Sequence, residues 1–211
     1  LKRLGDVLSL FLFLVSLHSY SNTSIKIKNT MEKINKVQDW IDNKLLSERK
    51  VFLWGQVDDE SAKHVVERLL YFDSLNQEEI KLYINSPGGY VTAGFSMYDT
   101  IKQIKSPVST ICTGLAASMG SILLSAGEKG KRYIQPNARV MIHQPSGGTR
   151  GPASDIEITA QEILKTKELS AQVLADNCGQ KFEKVMKDFN RDHWMDAEES
   201  VAYGIVDKVL K

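Results

Sequence analysis

The chain reads as an α/β protein with crossover connections, on three observations. Short apolar runs of strand length alternate with stretches whose apolar residues recur every three or four positions. Breaks rich in proline and glycine, above all Asn85-Ser86-Pro87-Gly88-Gly89, separate the two kinds of stretch. No internal repeat is present, and the alternation of strand with helix is the pattern of parallel strands joined through helices. The 211 residues suit one large domain, or one domain with appendages.

Each element follows from its own pattern. Trp40, Ile41, Leu45 and Leu46 give a short helix one apolar face, and Lys50-Val51-Phe52-Leu53 is a short strand. From Asp58 to Leu75 a helix is expected. Asp58 or Asp59 can cap it, and Ala62, Val65, Val66, Leu69 and Leu70 form its stripe. Ile80 to Ile84 is a strand, and after the Asn85–Gly89 break Val91 to Ile104 returns to helix. Val108 to Cys112 reads as a buried strand, and Ala116 to Ala126 is small and apolar enough for a buried helix. Arg132-Tyr133-Ile134 and Arg139 to Ile142 are two further strands, followed by a Gly-rich loop from Pro145 to Gly151. Asp155 to Asp176 is the longest helix, with Ile156, Ile163, Leu164, Leu169, Val173 and Leu174 among its apolar positions. Helices over Lys181–Phe189 and Ala197–Ala202 and a closing strand from Gly204 to Val209 complete the chain.

Composition excludes several functions. A hydrophobic content of 42%, a charged content of 25% and a formal net charge of +1 are ordinary for a globular protein and give no reason to expect nucleic acid or a membrane as partner. The two cysteines, Cys112 and Cys178, form no C-x-x-C and no disulfide framework, which suits a reducing compartment. His18, His64, His143 and His193 show no metal-ligand spacing, so no metal is expected. Residues 1–21 differ from the rest: Lys2 and Arg3 precede an apolar run from Val7 to Leu17, in the manner of a signal peptide. Because the body looks cytoplasmic, residues 1–30 are expected to be an N-terminal extension (propeptide, signal-like segment or upstream read-through), with the domain running from Met31 to Lys211.

The chemistry centres on Thr113-Gly114-Leu115-Ala116-Ala117-Ser118-Met119-Gly120. A serine there lies where a strand gives way to a helix, whose first N–H groups are unsatisfied and carry positive partial charge. Taken alone, the stretch reads as a buried serine in a tight turn, and Ala116 breaks the G-x-S-x-G pattern. Serine needs a base to take its proton, and the base needs an acid to fix its tautomer. His143 follows the strand Val140-Met141-Ile142, and Asp192 lies in Asn190-Arg191-Asp192-His193-Trp194. Alone, the first reads as a hydrogen-bonded core histidine and the second as a loop or cap residue. His193 is a rival base but adjoins the acid. The two glycines after Pro87 can turn their amides outward as oxyanion donors, although the motif alone reads equally well as a simple strand-to-helix turn.

Residues 45–210 resemble the proteolytic subunit of the Clp protease (ClpP) family. The matching stretches are Tyr83 to Gly89, Tyr98-Asp99-Thr100, Gly114 to Gly120, Arg139 to Pro145, Asp155 to Ile158 and Tyr203 to Asp207, in order and correctly spaced. The resemblance implies the ClpP/crotonase-like fold, with stacked crossover β-α units and a protruding strand-helix handle at about 146–176. It implies Ser118 as nucleophile, His143 as general base, Asp192 as its orienter, and the amides of Gly89 and Met119 as the oxyanion hole. It further implies two stacked heptameric rings, unfolded polypeptides as substrates, an ATP-driven unfoldase of the AAA+ class as partner, and no bound cofactor.

Three positions depart from the family pattern. Its N-terminal gating segment is not recognisable in residues 22–38. Asn190 stands where an acidic residue usually precedes Arg191, so one inter-ring ion pair is expected to be missing. Lys81 stands where an aromatic is common in the unfoldase-docking cleft. Two other functions are alternatives: a non-catalytic ring subunit, which would lack triad members, and a crotonase-type acyl-CoA enzyme, which shares the fold but needs no Ser-His-Asp set.

Overall fold

The computed structural model describes residue 37 and residues 39–211. The expected boundary at residue 30, the signal-like run and the gating segment lie outside the described residues, save for residue 37. Contacts divide the chain into a unit ending at Glu48 and a unit from Arg49 to Lys211. In the first, residues 39–47 form a helix (α1).

The second unit holds a seven-stranded sheet: β1 (Lys50–Trp54), β2 (Ile80–Ser86), β3 (Val108–Ala117), β4 (Arg132–Ile134), β5 (Arg139–Ile142), β6 (His193–Met195) and β7 (Lys208–Val209). Its helices are α2 (Asp59–Leu75), α3 (Val91–Gln103), α4 (Met119–Ser125), α5 (Ala153–Cys178), α6 (Phe182–Asp188) and α7 (Ala197–Tyr203). The main order is β1-β2-β3-β4-β7, all parallel, and the expected α/β class is what forms. Strands β1, β2 and β4 alternate, turning Val51, Leu53, Leu82, Ile84 and Ile134 into the core, while Val108 to Cys112 in the first half of β3 are buried on both faces.

The longest strand, β3, does two jobs. Its first half pairs with β4 and its second half pairs with β5, so the sheet branches along one strand. The branch has a local cause. Against β2 the register steps from Ile84↔Cys112 to Ser86↔Ala116, so β3 bulges between. Gly114 takes φ +94° inside this bulge, and Asn85 fills it, accepting from the Leu115 N–H through Oδ1 at 3.2 Å. Here the expected helix from Ala116 is corrected: Ala116 and Ala117 are strand, paired with Val140 and Met141, and helix begins only at Met119. Alanine's helix propensity is a weak preference, and a ladder partner overrides it.

Three smaller differences have equally local reasons. On α2 the buried stripe is Ala62, Val65, Leu69 and Phe72, whereas Leu70 is exposed, because the packed face is narrower than the apolar pattern. Asp58 caps α2 in a reciprocal box with Ser61. The closing strand shrinks to Lys208–Val209, because Gly204 at φ +91° ends α7 as a left-handed cap. Strand β6 was not expected at all; it pairs antiparallel with β5 and brings the chain back to that strand's end. The handle appears as irregular residues 143–152 leading into α5, whose outer half, including Ile158 and Leu164, is exposed.

Two buried arginines tie the edges. Arg49 donates to the carbonyls of Phe72, Glu78 and Glu79 and to the Ser106 hydroxyl, satisfying the end of α2. Arg132 pairs with Asp207 at 2.5 Å and donates to the Asn177 carbonyl, joining β4, the β7 approach and the end of α5.

Candidate active site

Ser118 is the single residue between β3 and α4, at φ 52° and ψ −123°. That is a backbone conformation glycine favours, and holding serine in it costs about 1–3 kcal/mol. The surroundings enforce it. The Ser118 N–H donates to the Met141 carbonyl at 2.8 Å, extending the β3–β5 ladder by one bond. Ahead of it Ala116 and Ala117 are buried, and behind it every residue of α4 is buried. The chain therefore turns sharply between two immobilised elements and leaves Ser118 half-exposed at the apex.

The Pro87-Gly88-Gly89 loop lies directly on this apex. A Cβ on Gly88 would sit 2.7 Å from both the Ala117 carbonyl oxygen and the Ser118 Cβ, so only glycine fits. Gly88 accepts from the Val57 N–H at 2.9 Å, and Tyr90 donates to the Val57 carbonyl at 2.8 Å, which pins the loop from its other side. Gly89 between them is exposed, and neither its N–H nor that of Met119 donates to another group of the described chain. Both amides belong to the loop and turn that meet at Ser118.

His143 leaves the end of β5, two residues beyond the carbonyl that holds Ser118. Its Nδ1 lies 3.0 Å from Asp192 Oδ1. The β5–β6 register explains that meeting. Val140↔Met195, Met141↔Trp194 and Ile142↔His193 are opposite pairs, and one further step sets position 143 opposite 192. Cross-strand neighbours point to the same face, with Cβ atoms about 5 Å apart. The candidate acid and base are thus brought together by strand pairing across 49 positions of sequence. The rival base His193 faces elsewhere, with its ring against Tyr203 at 5.8 Å.

A cleft of about 430 Å³ opens beside His143 and Asp192, walled by Pro145, Gly147 and Ile163. Asn190 and Arg191 also border it and are exposed. The thiols of Cys112 and Cys178 do not compete as nucleophiles: burial pushes each up to about 12, so both stay protonated at neutral pH. Among the described residues no group of three or more His, Cys, Asp and Glu is placed to hold a metal ion. Nor is any helix there long and apolar enough to cross a membrane.

Sequence reasoning named Gly88 only as an amide donor, not as the residue packed on Ser118, and missed Gln144. Gly88, rather than Gly89, is the glycine pressed against the serine. Gln144, next to His143, bonds the loop that carries Asp192 through both its main chain and its side chain. The only sequence signal for Gln144 was its place in the Arg139–Pro145 stretch.

A strand-to-helix serine with a glycine loop on it and a His–Asp pair one strand away is the outline of a serine hydrolase on an α/β sheet. Residues 28–211 match the Clp protease family, and the chain belongs to it. It is thus a ClpP-type proteolytic subunit and, in general terms, a serine peptidase.

Proposed function

We propose that the chain is a serine endopeptidase that cuts unfolded polypeptides into short peptides, with Ser118, His143 and Asp192 as its triad. The observation that carries this is the convergence at one end of β3 and β5: the strained serine, the glycine loop against it, and the histidine paired with a carboxylate. In this reading Ser118 Oγ attacks the peptide carbonyl as His143 takes its proton. Asp192 holds the imidazole in the tautomer that accepts that proton, and balances its charge once it has. The Gly89 and Met119 N–H groups receive the oxyanion, where losing one donor typically costs about 10²–10³ in rate. His143 then protonates the leaving amine, and a water it activates releases the acyl group. No step calls for a bound metal or cofactor.

Assembly follows the family: two stacked heptameric rings, in the cytoplasm, fed by an AAA+ unfoldase that spends the ATP. The exposed Ile158, Leu164 and Leu169 on α5 support association through that helix. Asn190 and Arg191, exposed beside Asp192, would then face the second ring. The test is a fluorophosphonate probe with a short fluorogenic peptide. The active-site reading requires labelling at Ser118 and loss of both labelling and hydrolysis in Ser118→Ala; an unlabelled, inactive parent would overturn it, as a non-catalytic subunit or an acyl-CoA enzyme would.

A further inference from the structure

We propose that Gln144 is a positioning residue: its side-chain amide holds the Asp192 loop in line with His143. The inference rests on the triad reading above. Asp192 is 59% exposed and His143 29%, so burial does not fix the pair. What fixes the acid must be bonding of its loop, residues 189–192, between α6 and β6.

The register shows where that bonding is needed. Beyond the 143–192 pair, a regular ladder would set Gln144 opposite Arg191. Instead the Gln144 N–H donates to the Phe189 carbonyl at 2.6 Å, two residues further on. The returning chain therefore bulges immediately before Asp192, and the bulge leaves ladder groups of Asn190 and Arg191 without strand partners. Gln144 Nε2 closes this gap, donating to the Asn190 carbonyl at 2.8 Å. Phe189, 2% exposed, anchors the inner end of the loop, and Tyr203 OH donates to Asp188 Oδ2 at 3.1 Å just before it. Between that anchor and β6 the Gln144 amide is the side-chain tie that reaches the loop from the strand bearing His143. Because the residue holding the acid adjoins the base in sequence, a movement of one carries the other.

The test uses the full chain with Gln144→Met, which keeps the length and removes the donor, and Gln144→Glu, which keeps the shape and sets an acceptor against the Asn190 carbonyl. The main-chain bond to Phe189 survives both. Turnover of a short peptide should fall about tenfold or more in each, within the roughly 10²-fold loss a misplaced catalytic group brings. KM should stay within about twofold, and the rate of fluorophosphonate labelling should fall in step with kcat. In an Asp192→Asn background the same changes should alter labelling by less than about twofold, because the group they align is already gone. Parental kcat in a folded variant, a loss confined to KM, or an equal loss in the Asp192→Asn background would overturn the proposal. If Gln144→Glu does not fold, Gln144→Met alone decides it. Failure of the parent to label at Ser118 would instead strike the triad reading.

Discussion

Ser118 and Asp192 lie at the same end of the sheet but are held by opposite means. The serine is fixed by volume: Gly88 presses on its Cβ, buried alanines precede it and a wholly buried helix follows. The carboxylate is exposed and fixed by directed bonds, from His143 and from a loop tied to Gln144. Packing is unforgiving of added atoms but stiff, whereas a few hydrogen bonds near solvent accept changes of size and yield more readily. The two ends of the site should therefore fail differently under mutation.

The largest effect belongs to chemistry and not to either means of support. Ser118→Ala should lower kcat on the order of 10⁴–10⁶ while the melting temperature does not fall, since the group removed is small and half-exposed. Asp192→Asn should cost about 10⁴ in kcat with no loss of melting temperature. A clear drop on thermal scanning would show that the exposed carboxylate also carries stability, and the contrast would weaken.

Arg132 and Asp207 mark a third manner of support, a charge pair with one partner buried. Asp207→Ala would leave Arg132, 5% exposed, without its counter-ion and should cost about 3 kcal/mol in a denaturant titration. The pair also sets a pH dependence. Burial by itself would raise the Asp207 carboxyl, but hydrogen bonds from the Arg132 side chain and main chain and from the Gly130 N–H outweigh it and hold it below the usual range. A depressed carboxyl contributes fully above its unfolded value of about 3.9 and loses that contribution as pH falls through the folded value. Melting temperature should therefore drop on acidification below about pH 4, and less steeply in Asp207→Asn.

Gly88→Ala sharpens the contrast at the packed end. The added methyl meets main chain and Ser118 Cβ at 2.7 Å, at a position of φ +90°. About 2 kcal/mol of stability should be lost, with a fall in kcat; an unchanged enzyme would mean that the elbow yields as easily as the acid loop. On the double-ring assembly proposed above, the smallest effect is expected at Asn190→Glu, worth about 0–1 kcal/mol per contact if a cation of the facing ring is in reach. Sedimentation velocity over a dilution series should show double rings persisting to lower concentration, and an unmoved equilibrium would remove Asn190 from the ring interface.

Much of this architecture was legible in the chain because alternation of period and breaks at Asn85–Gly89 are local signals. What was not legible depends on partners. Ala116 and Ala117 look helical until β5 is beside them, and the three residues of β6 carry no pattern that announces a strand without that same partner. The candidate triad could be named from resemblance, but the reason His143 and Asp192 meet, a shared register, exists only once β5 and β6 pair. Gln144 was hidden for a like reason: its acceptors lie 45 and 46 residues away.

The dihedral angles of Ser118 have a consequence for anyone selecting improved forms of this protein. Ser118→Gly would release the strain of a conformation that glycine adopts at little cost, by about 1 kcal/mol, and would remove the proposed nucleophile. A library sorted only for heat resistance or expression would thus enrich the inert molecule at the very position that defines the site. Sorting for turnover at each round is what keeps the hydroxyl, because stability and activity pull residue 118 in opposite directions.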